Sequence, residues 1–122
     1  MNTTSHHFLI ELYQVQDASK VLDSIQRVED ILISKAITNG KATYINHHSF
    51  KFEPQGLSCV ILLAESHISI HTWPESGYAA LDVFTCGSKG QGQLIVDTIV
   101  AEFNPGRYSV QYIARGNDVE EN

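Results

Sequence analysis

Polar residues able to do chemistry are concentrated between positions 58 and 86, in and around otherwise apolar segments. Glu65, Ser66 and His71 follow one apolar run, and Cys86 closes the next. A serine with a nearby histidine indicates a hydrolase pair, but the Gly-x-Ser-x-Gly turn of that class is absent. A thiol with a histidine is compatible with nucleophilic catalysis. The residue types alone predict an active site and leave its reaction open.

Two other patterns carry little functional information. A glycine-rich segment before the second predicted helix lacks the Gly-x-Gly-x-x-Gly spacing of a dinucleotide-binding loop, its glycines being Gly87, Gly90 and Gly92. Histidine pairs occur at 6–7 and 47–48, but no spacing links them to a cysteine pair in the manner of a closed zinc site. No metal is therefore predicted.

The composition describes one small acidic domain. Eight Lys and Arg against 14 Asp and Glu give a net charge of −6 over 122 residues, a length typical of a single domain. A general nucleic-acid binder needs a basic face for the phosphates, so that class is excluded. The acidic run at 118–122 is predicted to be a solvated tail.

The sequence predicts neither membrane insertion nor export. No apolar run approaches the roughly 20 residues that a membrane span requires. Residues 1–7 lack the basic and apolar regions of a signal peptide. Cys59 and Cys86 are therefore expected to be reduced thiols in the cytoplasm.

Hydrophobic periodicity predicts six strands and two helices. The first helix is expected to run from an N-cap at Asp17 to Gly40, and the second to follow the glycine-rich segment and end before Asn104. The third strand is apolar enough to predict burial on both faces. The predicted strands cover 7–13, 42–52, 57–64, 68–73, 78–85 and 107–115.

The order of these elements is β-α-β-β-β-β-α-β. Short turns at 53–56 and 74–77 join consecutive strands, which favours an antiparallel sheet with both helices on one face. The predicted fold class is therefore α+β, a two-layer sandwich forming a single domain over residues 1–122.

One long segment is more specific than any single residue. It comprises Ala-Glu-Ser-His-Ile-Ser-Ile-His-Thr-Trp-Pro-Glu at 64–75 and Gly-Tyr-Ala-Ala-Leu-Asp-Val-Phe-Thr-Cys-Gly at 77–87. With Phe-x-Pro-x-Gly-x-Ser at 52–58, it resembles the small prokaryotic S-adenosylmethionine decarboxylase proenzymes, and the resemblance covers nearly the whole chain. The sequence departs from that family at Cys59, where a glycine is expected, and at 5–7, where Ser-His-His replaces a Gly-x-His opening.

The resemblance implies a self-processing enzyme with a pyruvoyl cofactor. Ser66 would attack the carbonyl of Glu65, and elimination of the resulting ester would leave a pyruvoyl group in place of the serine. By position, His71 resembles the residue that accepts the Ser66 Cα proton, a role that suits a neutral imidazole. Ser58 resembles the residue that supports the rearrangement by hydrogen bonding. The pyruvoyl ketone would form a Schiff base with the substrate amine and act as the electron sink for decarboxylation.

The resemblance also assigns roles in the mature enzyme. Cys86 matches the proton donor to the decarboxylated carbon. Phe52 matches a residue that stacks on adenine, and Glu75 matches one that accepts hydrogen bonds from ribose hydroxyls. The alternatives are that Phe52 is an ordinary core residue and that Glu75 is an ordinary carboxylate in a turn. The implied reaction releases CO₂ from S-adenosylmethionine and forms S-adenosylmethioninamine, the aminopropyl donor for spermidine biosynthesis.

The implied assembly is a homodimer of cleaved protomers, each made of chains 1–65 and 66–122, with the sites at the interface. The sequence is also compatible with two other functions. One is a pyruvoyl-dependent decarboxylase of arginine or ornithine with the same fold. The other is a non-catalytic regulatory relative, against which the joint presence of Ser66, His71 and Cys86 argues.

Overall fold

A computed structural model describes residues 3–119, which contain six strands joined in one sheet. The strands are β1 (Ser5–Val15), β2 (Tyr44–Lys51), β3 (Leu57–Leu63), β4 (Ser66–Trp73), β5 (Tyr78–Thr85) and β6 (Pro105–Arg115). Every pairing is antiparallel, and the strand order is β2-β3-β4-β5-β1-β6. The acidic run predicted as a tail lies outside the described residues from position 120 onward.

The helices pack on one face of this sheet, which confirms the predicted α+β sandwich. They are α1 (Ala18–Val21), α2 (Ile25–Glu29), a π-helical segment that continues it (Asp30–Ile37), and α3 (Lys89–Phe103), with a short 3₁₀ turn at Pro74–Ser76. Buried side chains from β1, β3, β4 and β5 meet the buried faces of the helices in a single apolar core. Among residues 3–119, no helix is long and apolar enough to cross a bilayer.

The prediction of one continuous first helix is wrong, because the chain breaks between α1 and α2. Asp17 precedes α1 in a left-handed conformation with φ of 52° and makes no side-chain capping bond. Ser24 is the effective N-cap, since its hydroxyl accepts a hydrogen bond from the Arg27 amide at 3.2 Å. At the break, the Asp23 carboxylate accepts from the Gly56 amide at 2.8 Å and pairs with Lys51 at 2.8 Å. The break therefore ties the helical layer to the turn after β2.

The second helix begins earlier than predicted, inside the glycine-rich segment. Ser88 caps α3 by accepting a hydrogen bond from the Gln91 amide at 3.0 Å. Gly92 lies within the helix, where an added Cβ would approach Cε2 of Phe8 to 2.5 Å. This glycine therefore allows α3 to pack closely on β1, and it does not mark a loop.

Within residues 3–119 no segment covers the face of the sheet opposite the helices, and we call it the open face. On β3 the side chains alternate, so that Cys59 and Ile61 are buried while Val60 and Leu62 are 49% and 51% exposed. The prediction that β3 is buried on both faces is therefore wrong for the chain by itself. Large apolar side chains on the open face and at its rim remain exposed, namely Phe50, Phe52, Val60, Leu62, Trp73 and Ile113.

Candidate active site

The residues singled out from the sequence form two groups at opposite ends of β4. The first, the Ser66 cluster, comprises Glu65, Ser66 and Cys86, where β4 begins and β5 has just ended. The Ser66 hydroxyl lies 3.8 Å from the Cys86 sulfur. The main-chain carbonyl of Glu65 accepts a hydrogen bond from the Cys86 amide at 3.0 Å. The carbonyl and the hydroxyl of the Glu65–Ser66 unit thus both have Cys86 as a neighbour.

Thr43, which was not predicted from the sequence as a site residue, also forms hydrogen bonds to this cluster. The Glu65 carboxylate accepts hydrogen bonds from the Thr43 amide at 3.0 Å and from the Thr43 hydroxyl at 3.2 Å. The Thr43 carbonyl in turn accepts from the Ala64 amide at 2.9 Å. Thr43 directly precedes β2, so its contact with Glu65 depends on the pairing of β2 with β3 and has no local sequence signal.

The second group, the His71 cluster, comprises Ser58 and His71 at paired positions on β3 and β4. The Ser58 hydroxyl lies 2.7 Å from Nδ1 of His71. In the tautomer in which Nδ1 donates to Ser58, Nε2 carries no proton and is free to accept one. Cross-strand pairing therefore gives the imidazole a fixed neighbour and one nitrogen for acid–base work.

A cavity of about 270 Å³ opens beside the His71 cluster. Its walls include Phe52, Trp73 and Glu75, with Gln55, Gly56, Leu57, Ser58, His71 and Thr72. Phe52 is 47% exposed, and its ring meets that of Phe50 edge-on at 4.9 Å. The cavity thus combines an exposed aromatic face with a carboxylate on the Pro74–Ser76 turn.

Buried polar and glycine positions shape this cavity from behind. Thr72 is buried, and its hydroxyl donates to the Leu22 carbonyl at 2.7 Å while accepting from the Leu57 amide at 2.9 Å. Gly56 has φ of +100°, and an added Cβ would lie 3.0 Å from the Thr72 carbonyl oxygen. Thr72 and Trp73 line the cavity, although neither was predicted from the sequence to have a role of its own. A threonine at an otherwise apolar alternating position was the available signal for Thr72.

A tyrosine–carboxylate contact lies on the open face near Trp73. The Tyr78 hydroxyl donates to Glu11 at 2.6 Å. Burial, together with the hydrogen bond to Glu11, raises the pKa of Tyr78 to about 12. Tyr78 therefore stays protonated and keeps this donor contact throughout the neutral range.

The structure does not bring the two clusters together within one chain. Ser66 and His71 are five residues apart on β4, and at the usual rise per residue this is about 16 Å. An odd spacing also directs their side chains to opposite faces of the sheet. Ser66 therefore lies with Cys86, and His71 lies with Ser58, Phe52 and Glu75.

Over residues 6–116 the sequence matches the model of the S-adenosylmethionine decarboxylase family. The chain belongs to this family. The S-adenosylmethionine decarboxylase proenzyme of Aquifex aeolicus is 46% identical over 121 residues, covering 98% of this chain and 86% of that protein. The proenzyme of Pyrococcus abyssi is 40% identical over 116 residues, covering 95% of this chain and 81% of the relative.

Solved structures agree with this membership of the S-adenosylmethionine decarboxylase family. The crystal structure of the Aquifex aeolicus adenosylmethionine decarboxylase superimposes with a TM-score of 0.88 and 40% identity, covering 100% of this chain and 98% of that one. An AdoMetDC monomer from Trypanosoma brucei shares the fold, with a TM-score of 0.65 at 18% identity. It aligns with 86% of this chain but over only 44% of its own length.

Proposed function

We propose that this chain decarboxylates S-adenosylmethionine with a pyruvoyl group made from its own Ser66. The observation that carries the proposal is the geometry of the Glu65–Ser66 unit in a chain whose relatives are named as proenzymes of this activity. Its carbonyl accepts a hydrogen bond from the Cys86 amide, and its hydroxyl lies beside the Cys86 thiol. The unit also occupies the tight turn between β3 and β4.

Self-cleavage begins as an acyl shift within this unit. The Ser66 oxygen attacks the Glu65 carbonyl carbon, the C–N bond breaks, and the acyl group passes to oxygen as an ester. Negative charge develops on the Glu65 carbonyl oxygen during this step, and a preorganised N–H donor such as the Cys86 amide stabilises that charge. Removal of the Ser66 Cα proton then eliminates the Glu65 carboxylate and leaves dehydroalanine. Its hydrolysis by one water gives the pyruvoyl group and ammonia, and the chains are 1–65 and 66–122.

The residues around position 66 fit a pyruvoyl group. Ser66 is only partly buried, so a substrate amine can reach the position, and the Cys86 thiol beside it can supply a proton. The pyruvoyl ketone supplies an electron sink for the charge left when CO₂ departs. The role of Cys86 is to hold and deliver a proton at its sulfur.

The base for removal of the Ser66 Cα proton is His71 of a second copy of the chain. Within one chain the two residues lie about 16 Å apart on β4, which no side-chain rotation bridges. Two copies stacked through their open faces, with their β4 strands reversed, place the Glu65–Ser66 main chain of one near the His71 cluster of the other. The proton to be removed is on the Ser66 Cα, so the direction of the Ser66 side chain does not decide this contact. The active enzyme is therefore a homodimer with two composite sites.

The cavity beside His71 suits the adenosyl part of the substrate. Phe52 offers an exposed ring on which adenine can stack, and the Glu75 carboxylate can accept hydrogen bonds from two ribose hydroxyls. Its volume of about 270 Å³ lies below the usual range for small-molecule sites, as expected if a partner's sheet completes it. Arginine and ornithine carry neither adenine nor ribose, so the alternative of a free amino-acid substrate is not favoured. The free thiols of Cys59 and Cys86 suit a cytoplasmic enzyme.

The test combines cleavage with a substrate comparison. Purified wild-type protein is expected to run as two chains on a denaturing gel, with masses that place the cut between Glu65 and Ser66, and Ser66→Ala as one chain. CO₂ release from carboxyl-labelled S-adenosylmethionine should exceed that from arginine and ornithine, and Ser66→Ala should release none. A wild-type chain that stays intact after long incubation at neutral pH, or that prefers arginine or ornithine, contradicts the proposal.

A further inference from the structure

Glu65 is held at both ends, by its side chain and by its main chain. Its two carboxylate oxygens accept from the Thr43 amide and hydroxyl at 3.0 and 3.2 Å. Its carbonyl oxygen accepts from the Cys86 amide at 3.0 Å. The bond to Cys86 has a role in the proposed self-cleavage, whereas the contact with Thr43, which we call the Thr43 clamp, takes no part in its chemical steps.

The Thr43 clamp joins two parts of the sheet that are distant in sequence. Thr43 directly precedes the edge strand β2, whereas Glu65 lies in the two-residue connection between β3 and β4. The Thr43 carbonyl adds a third bond by accepting from the Ala64 amide at 2.9 Å. Two bonds to a single carboxylate restrict the rotation of its side chain, and bonds to an ionised group are among the stronger hydrogen bonds. The clamp therefore fixes the acyl side of the Glu65–Ser66 bond.

We infer that Thr43 is a positioning residue for self-cleavage, because its clamp keeps the Glu65 carbonyl aligned with the Cys86 amide and within reach of the Ser66 hydroxyl. This inference rests on the proposed self-cleavage. An acyl shift requires the reacting atoms to be close and aligned, and small displacements lower its rate steeply. The clamp acts on the residue that becomes the end of chain 1–65. Its effect should therefore fall on cleavage and not on turnover by chains already cleaved.

The test measures cleavage of newly synthesised chains at neutral pH. Thr43→Val keeps the size of the side chain and the amide donor but removes the hydroxyl, so the first-order cleavage rate should fall about tenfold. Thr43→Ser retains the hydroxyl and should cleave at close to the wild-type rate. Glu65→Ala removes both clamp bonds and should cleave more slowly than Thr43→Val. Thr98→Val, which removes a hydroxyl that donates to the Leu94 carbonyl within α3, is the matched control and should cleave normally.

Hydroxylamine provides a readout that a purely structural role would not change. It cleaves esters, so it reports how much chain has undergone the acyl shift, and Thr43→Val should accumulate hydroxylamine-sensitive chain more slowly. Once fully cleaved, Thr43→Val should have the kcat and KM of the wild type. If the wild type cleaves and both Thr43→Val and Glu65→Ala cleave at its rate, this inference is wrong while the proposed function stands. A slow rate explained entirely by a lower melting temperature would also overturn it, whereas a wild type that never cleaves overturns the proposed function.

Discussion

Cys86 contacts the Glu65–Ser66 unit through two different groups. Its amide donates to the Glu65 carbonyl, and its sulfur lies 3.8 Å from the Ser66 hydroxyl. The amide belongs to the main chain and survives any substitution of the side chain. The two proposed contributions of this residue, to cleavage and to turnover, can therefore be separated by mutation.

Cys86→Ala is expected to cleave but to turn over poorly. The main-chain N–H still polarises the Glu65 carbonyl, whereas the proton donor to the product carbon is lost. A positioned general acid contributes at least about 100-fold to a rate, so CO₂ release per cleaved chain should fall by that order. Inactivation through protonation at the wrong carbon should rise. Cys59→Ala removes the other thiol and should retain turnover, while normal turnover in Cys86→Ala would exclude Cys86 as the donor.

Glu75→Gln and Phe52→Ala are expected to change substrate use without affecting cleavage. A hydrogen bond to a charged partner contributes about 1.5–3 kcal/mol, so loss of the Glu75 charge should lower kcat/KM for S-adenosylmethionine at least about tenfold. Loss of the Phe52 ring should have an effect of similar order, since stacking of a base on an aromatic ring contributes about 1–3 kcal/mol. Chain separation on a denaturing gel and CO₂ release measure the two properties. Wild-type kinetics in both variants would contradict the proposal that this cavity binds the adenosyl group.

At the scale of elements, the sequence predicted every strand and the layer arrangement but not the shape of the first helix. Alternation along β1 and β4 and the turns at 53–56 and 74–77 are local signals, and the structure follows them. The break at Asp23 is also partly local, because Ser24 is a good N-cap. The partners of Asp23 could not be predicted from the sequence, because Lys51 and Gly56 become its neighbours only when the sheet forms.

Asp23 is expected to stabilise the turn before β3 in a pH-dependent manner. Lys51 and the Gly56 amide hold the pKa of Asp23 below its ordinary value of 3.8. A carboxyl group whose pKa is lower in the folded than in the unfolded state stabilises the fold at pH values above its unfolded pKa. This contribution is lost as the pH falls from 3.8 through the folded pKa. Asp23→Asn should therefore lower the free energy of unfolding by about 1–2 kcal/mol at pH 7, and the difference should shrink on acidification.

Urea unfolding of uncleaved chains measures this effect. Ser66→Ala serves as the background, so that each chain remains one piece, and all samples share one protein concentration because association affects stability. Asp17→Asn is the matched control, since the Asp17 side chain makes no capping bond to α1. If the difference in the free energy of unfolding between chains with Asp23 and chains with Asp23→Asn stays constant down to pH 3, the ionised Asp23 carboxylate is not the stabilising group.

At the scale of the whole molecule, the open face explains what the sequence could and could not predict about the site. The 64–87 segment predicted most of the candidate site residues, but their division into two clusters depends on strand direction and face. The same uncovered face accounts for the failed prediction at β3, because Val60 and Leu62 are apolar yet half-exposed. Monomeric proteins rarely expose large contiguous apolar patches. An apolar open face with the His71 cluster near one end and the Glu65–Ser66 main chain at the other is what a stacked homodimer would cover.

Composite sites predict complementation between two inactive variants. Ser66→Ala lacks the residue to be cleaved, and His71→Ala lacks the base, so neither should process alone. In a mixed dimer, intact Ser66 from the His71→Ala chain faces intact His71 from the Ser66→Ala chain. Coexpression in equal amounts should therefore cleave about half of the His71→Ala chains, the share that random pairing places in mixed dimers. The same samples should recover CO₂ release from S-adenosylmethionine, and the cleaved chain is identified by its mass.

A double variant distinguishes this arrangement from sites contained within one chain. When Ser66→Ala/His71→Ala is coexpressed with wild-type chain, each site of a mixed dimer joins one intact cluster to one disabled cluster. About half of the wild-type chains should then remain uncleaved under random pairing. If each chain held its own complete site, the wild-type chains would all cleave and the two single variants would not rescue each other. That pair of results would refute the composite site. It would require a base for Ser66 other than His71, which lies about 16 Å away on the same strand.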